Sequence, residues 1–169
     1  DAVTTGSDNT FVGDNAGGAN TTADNNTAVG SGALLLNTTG TSNVSIGAYA
    51  LDANTTTSYN TAVGYNALTA NTASNNTGVG YKALEATTTG SQNIAVGGEA
   101  LQDNTTGASN IAIGYGALAN ATTVSNNVAI GTSSMDAAVA GANNVAVGSL
   151  TLSALTTGAS NTAVGKSAL

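Results

Sequence analysis

The stretch Ser109–Leu118, SNIAIGYGAL, has near-copies at Asn60–Leu68, NTAVGYNAL, and at Asn93–Leu101, NIAVGGEAL. Internal repetition therefore has to be settled first, because a missed repeat mis-assigns the whole fold. The element Asn–x–x–Val/Ile–Gly serves as a marker. Its closing glycines are Gly13, Gly30, Gly47, Gly64, Gly80, Gly97, Gly114, Gly131, Gly148 and Gly165, which makes ten copies. They recur every 17 residues, except for a step of 16 between Gly64 and Gly80. The missing residue falls between Leu68 and Asn76, in a polar segment, as expected of a deletion in a turn.

Each copy has three parts. The marker is followed by two variable residues and then Ala-Leu, as at Ala67-Leu68, Ala100-Leu101 and Ala117-Leu118. A polar segment closes the copy, often with Thr-Gly, as at Thr39-Gly40, Thr89-Gly90, Thr106-Gly107 and Thr157-Gly158. Seventeen residues are too few for a helix-pair repeat. The marker itself carries β-branched residues at alternate positions between Asn and Gly, which is strand-and-turn chemistry. The pattern predicts an all-β fold: a parallel β-solenoid or β-roll of ten 17-residue coils, one repeat domain over residues 1–169. Each coil is expected to hold a short strand, a bend at Gly, a second short strand around Ala-Leu, and a Thr/Gly/Asn turn. Coils stacked at about 4.8 Å make a rod roughly 48 Å long. Asn26, Asn43, Asn60 and their successors then align as an amide ladder, and the glycines sit where φ is positive or backbones approach closely.

Composition narrows function. Only 7% of residues are charged; there is no Cys, Pro, Trp, His or Arg, and the cations are Lys82 and Lys166. The net charge of −7 leaves nothing to neutralise nucleic-acid phosphates or an anionic membrane surface. The densest apolar run, Gly32–Asn37, is far too short to span a bilayer. Without His or Cys there is no Ser-His-Asp or Cys-His nucleophile. The nine carboxylates read as solvated surface charge rather than as a catalytic pair, and Glu85 and Glu99 occupy different repeat positions. No catalytic, cofactor-binding or metal site is expected. Asp8, Asp14 and Asp24 near the start read as turn residues more readily than as a Ca2+ site. Tyr49, Tyr65, Tyr81 and Tyr115 follow marker glycines and cover a corner of the roll or form an aromatic strip.

The middle position of the marker bears on assembly. It reads Phe11, Ala28, Ser45, Ala62, Gly78, Ala95, Ala112, Ala129, Ala146 and Ala163, small after the first copy and never charged. An outward strand face in water would tolerate Lys or Glu somewhere among ten copies. The expectation is that Ala28, Ala62, Ala95, Ala112, Ala129, Ala146 and Ala163 line a dry seam between chains. The core then comprises Val29, Ile46, Val63, Val79, Val96, Ile113, Ile130, Val147 and Val164 together with Leu34, Leu51, Leu68, Leu84, Leu101 and Leu118. The alternative is that Ala fills a tight coil interior while Val and Ile face elsewhere. On the first orientation Ala112→Lys disrupts assembly.

The marker and its continuation, as in Asn127–Gly131, NVAIG, and Asn60–Leu68, resemble the V-A-I-G repeat of trimeric autotransporter adhesin heads and similar repeats of bacteriophage tail fibres. The resemblance covers all ten copies, although the coil here is longer in its Thr-rich turn and no heptad stalk is visible. It implies a trimeric, left-handed parallel β-roll used in attachment on a bacterial surface or virion. The expectation is a non-catalytic adhesive or structural segment of a longer fibre, extracellular and self-associating, with a host-surface glycan or protein as a candidate partner. An ice-binding solenoid using Thr ladders is the alternative.

Overall fold

In the computed structural model of the chain, residues 5–137 and 140–169 are described. Ten three-residue strands follow one another: β1 Thr10–Val12, β2 Thr27–Val29, β3 Val44–Ile46, β4 Thr61–Val63, β5 Thr77–Val79, β6 Ile94–Val96, β7 Ile111–Ile113, β8 Val128–Ile130, β9 Val145–Val147 and β10 Thr162–Val164. They pair in parallel, in chain order, as a single sheet. The fold is a β-solenoid, and coil n is taken as the one that holds βn. Register is constant: Ala95 faces Ala112, and Ala112 faces Ala129. The short step keeps it too, since Ala62 faces Gly78. The deletion is absorbed in the turn. Asn20, Asn37, Asn54 and Asn104 each reach a carbonyl three residues on, whereas Asn71 reaches Ala73, two residues on.

The marker asparagines hold coil to coil. Each Oδ1 accepts the backbone N–H of the next marker Asn, from Asn26 onto Asn9 through Asn161 onto Asn144, at 2.9–3.0 Å over all nine steps. Most Nδ2 groups donate to a carbonyl in the turn of the following coil, as Asn93 does to Gly107 at 2.8 Å and Asn110 to Val124 at 2.8 Å. Asn26 through Asn144 are fully buried in this column. A buried amide is tolerated only when paired, and pairing to the neighbouring coil satisfies backbone groups that a short strand leaves over. The marker glycines all have φ of 122–137°, and those from Gly13 to Gly148 leave no room for a side chain. A Cβ on Gly47 falls 2.5 Å from the carbonyl oxygen of Gly64.

The predicted second strand is absent among the described residues. Around Ala-Leu the chain makes a turn in which the leucines take left-handed φ, 54° at Leu34, 51° at Leu101 and 52° at Leu118. That conformation costs a branched residue about 1–2 kcal/mol. It recurs because each leucine is fully buried and its N–H still reaches the next coil, Leu34 to Ala50 at 3.0 Å and Leu101 to Ala117 at 2.9 Å.

The orientation of the marker is the reverse of the seam expectation. Ala28, Ala62, Ala95, Ala112, Ala129 and Ala146 are 0% exposed within the single chain and Ala163 is 9%, so they point into their own coil rather than between chains. Leu34, Leu51, Leu68, Leu84, Leu101 and Leu118 are core residues. Val29, Val63, Val79, Ile130 and Val147 are only half-buried, and Ile46, Val96, Ile113 and Val164 are exposed, so none of these nine belongs to the core. The cause is the width of the coil. Ser45 at the middle position donates to the carbonyl of Ala50 across the interior at 2.7 Å. With the leucine column already inside, only a small residue fits opposite. The first coil supports this account. A Cβ on Gly17 there lies 2.7 Å from the Phe11 ring, so Phe11 fills the volume that leucine takes elsewhere.

Asn110→Ala removes the acceptor for the Asn127 N–H and the donor to Val124, leaving both backbone groups buried and unpaired. Chemical denaturation should show a loss of about 3 kcal/mol. Thr106→Lys, at an exposed turn position, should stay within about 0.5 kcal/mol of the parent. Ala112→Lys should prevent folding rather than assembly alone, visible as loss of the β circular-dichroism signal.

Candidate functional site

The outer face of the sheet is built from the two residues that flank each interior Ala. The column nearer the glycine reads Val12, Val29, Ile46, Val63, Val79, Val96, Ile113, Ile130, Val147 and Val164, without exception Val or Ile. The other column carries Thr in β1, β2, β4, β5 and β10, and Val or Ile in the remaining strands. Neither column holds a charge. Parallel in-register pairing lines these side chains up along the sheet. A sheet with one face on the core ordinarily turns polar residues to water. This one turns out β-branched apolar residues, with Ile94 41% and Ile113 38% exposed. Apolar side chains aligned along an exposed face, rather than scattered singly, call for an explanation.

A second surface begins at the corner just after the marker glycine. Tyr65 and Tyr81 stack with centroids 5.9 Å apart and planes 12° apart, and Tyr49 meets Tyr65 edge-on at 6.3 Å. Lys82 Nζ stands 5.6 Å from the Tyr81 ring centroid. The Glu85 carboxylate lies 3.2 Å from Lys82 Nζ and accepts hydrogen bonds from Gln102 Nε2 at 2.7 Å and Asn66 Nδ2 at 3.4 Å. Partial burial pushes the Glu85 carboxyl up, but the donors Gln102, Lys82 and Asn66 outweigh it and hold the group below the usual carboxylate range. Lys82 is raised by its hydrogen bond to Glu85. Tyr115, on the same corner, is raised by a hydrogen bond with Glu99 and by that residue's charge. Tyr59 has no aromatic partner among the described residues.

The remaining sequence-level candidates separate. No three carboxylates among the described residues gather closely enough to hold a metal ion. Asp24 accepts the Ser7 N–H at 2.6 Å, and Asp14 accepts from the Asn15 amide at 3.4 Å. No pocket is present among the described residues. The turn threonines are fastenings: the hydroxyls of Thr38, Thr72, Thr88 and Thr105 donate to carbonyls of the next coil at 2.9–3.1 Å. Both exposed surfaces consist of residue types visible in the sequence. What placed the sheet face outside was the leucine column, which competes with Val and Ile for the interior.

No protein-family model matches the chain, and no curated protein and no solved structure shows significant similarity to it.

Asp52 sits one coil before Thr69 in the column that holds Glu85 and Gln102. Burial pushes its carboxyl up from the ordinary 3.8, and its Oδ1 is buried without a hydrogen-bond partner among the described residues. A raised folded-state pKa means that the protonated form is favoured by folding, and that this stability is lost as pH rises. Asp52→Asn should therefore raise stability at pH 7. The gain should shrink as pH falls through the raised folded-state pKa and vanish below the ordinary 3.8. Thermal unfolding of both proteins across pH 3–8 (about that range, from the ordinary Asp value) checks the sign.

Proposed function

We propose that this chain is a non-catalytic structural and adhesive segment of an extracellular fibre, on a bacterial surface or a virion, assembled from copies of itself. The single observation that carries the reading is the unbroken, uncharged Val/Ile column along the outer face of the sheet. Covering it with the same face of other copies removes apolar surface from water, worth roughly 25 cal/mol per Å². Closed cyclic symmetry satisfies every copy equally, and the resemblance of the repeats to adhesin heads favours three.

The distribution along the face favours a parallel, in-register arrangement. Strands β6–β9 present Val or Ile in both columns, whereas β2, β4 and β5 present Thr in one. Parallel copies set the wholly apolar rungs on each other. Antiparallel copies set β6, β7 and β9 against β5, β4 and β2, opposing apolar rungs to hydroxyl-bearing ones.

Ice binding is the second reading, and Thr27, Thr61 and Thr77 on the flat outer face are what favour it. Val44 interrupts that column and β6–β9 carry Val or Ile in it, while several turn threonines spend their hydroxyls on backbone carbonyls.

Light scattering should give three times the chain mass. The double variant Ile111→Lys, Ile113→Lys should be a folded monomer with unchanged circular dichroism. A stable parent monomer would sink the assembly, and thermal hysteresis by that monomer would favour ice binding.

A further inference from the structure

We propose that the tyrosine corner of coils 3–7 is a binding strip for an uncharged linear oligosaccharide, with Tyr65 and Tyr81 as its apolar platform and Glu85 with Gln102 as its hydroxyl-recognising edge. The inference names a receptor class for the attachment reading above and rests on it for its setting only.

The tyrosines are not needed by the fold. At the position directly after the marker glycine, coils 2 and 9 carry Ser31 and Ser149 and make the same turn. Coils 4, 5 and 7 carry Tyr65, Tyr81 and Tyr115 there, 47%, 51% and 57% exposed. A corner that closes equally well with serine gains nothing in folding from three half-wet rings. The rings are nevertheless ordered against one another, and ring order costs side-chain freedom before any ligand arrives. Aromatic rings with a polar tip suit a ligand that offers both C–H faces and hydroxyls.

Beside the rings runs a connected grouping of polar side chains on a surface poor in charge. Lys82, Asn66 and Gln102 converge on Glu85, fixing the carboxylate in place and ionised. A fixed carboxylate flanked by amides pairs well with neighbouring hydroxyls, since it accepts where a hydroxyl donates and the amides can do either. The strip is long and has no pocket, which fits an extended chain rather than a compact metabolite. The near-parallel Tyr65 and Tyr81 rings have centroids 5.9 Å apart, close to the advance of one pyranose unit in an extended polysaccharide, whereas Tyr49 stands edge-on to Tyr65 and flanks the platform. With a net charge of −7 and two lysines, the surface repels sulfated or uronic-acid chains, so the sugar is neutral.

The test uses the absence of Trp, which leaves tyrosine as the fluorophore. The intact chain is titrated with cello-, malto-, manno- and chito-oligosaccharides of about six sugars (a length set by the span of a few rungs), followed by tyrosine emission and calorimetry. Heparin serves as the charged control and a proline-rich peptide as the competing ligand class. At least one neutral series should bind saturably, and heparin should not. Tyr65→Ser and Tyr81→Ser import the residue that coils 2 and 9 use, so the turn is retained. Each should weaken binding about tenfold, and Gln102→Ala should weaken it less. Tyr59→Ser should leave it unchanged. Saturation by none of the neutral series, indifference to Tyr65 and Tyr81, or tyrosine-dependent binding of the peptide alone overturns the proposal. Oligomer mass is measured on the same samples. Loss of sugar binding with the parent mass retained is a failure of this site, whereas a monomer that still binds sugar is a failure of the assembly reading.

Discussion

The asparagine side chain that reaches from one coil to the backbone of the next is the interaction on which the rest of the molecule depends. Three-residue strands alone provide few ladder bonds, and a coil this small cannot enclose a large apolar core. The marker Asn answers both shortages. Its Oδ1 takes a backbone N–H from the next coil and its Nδ2 gives to a turn carbonyl there, so one side chain ties strand and turn together. The tie is directional, which sets the register. It also explains how the 16-residue step is accommodated: Asn76 still donates its N–H to Asn60 at 2.9 Å, and the shortened turn adjusts around that bond.

The narrow interior is the second constraint, and it decides what the surface becomes. Leucine enters from the turn side in left-handed backbone, and alanine enters from the strand side. Two branched residues cannot oppose each other in that space. The Val and Ile that flank each Ala are therefore displaced outward, and an apolar face results from packing inside the coil. Where one side of the interior empties, the other fills it, as Phe11 does against Gly17. The same economy of space explains Gly78, where a Cβ would come 3.2 Å from Leu68 Cγ.

Chemistry on the remaining surface is sparse and unevenly placed. Most exposed polar groups are hydroxyls and amides of the turns, several committed to the next coil. Charged, amide and aromatic side chains meet in one region, around Glu85, Lys82 and Tyr81. Its partners come from three successive coils and from three repeat positions, those of Tyr81 and Lys82 before the inward Ala-Leu pair and that of Glu85 after it. Such a grouping exists only because the coils stack in register.

The sequence by itself determined the number of coils, their parallel stacking, the place of the deletion and the fully buried leucines at Leu34 to Leu118. Each follows from periodicity and from local rules for Gly, Asn and β-branched residues. It did not determine which side of the strand faces in. Alternation says that Ala112 and its neighbours Ile111 and Ile113 lie on opposite faces, and it is silent on the sign. Only the tertiary structure decided that, because the answer rests on how much room the opposite wall leaves, as the Ser45–Ala50 contact measures. The turn around Ala-Leu was hidden for a related reason: leucine disfavours left-handed backbone locally, and burial with a bond to the next coil outweighs that preference only once the coils are stacked.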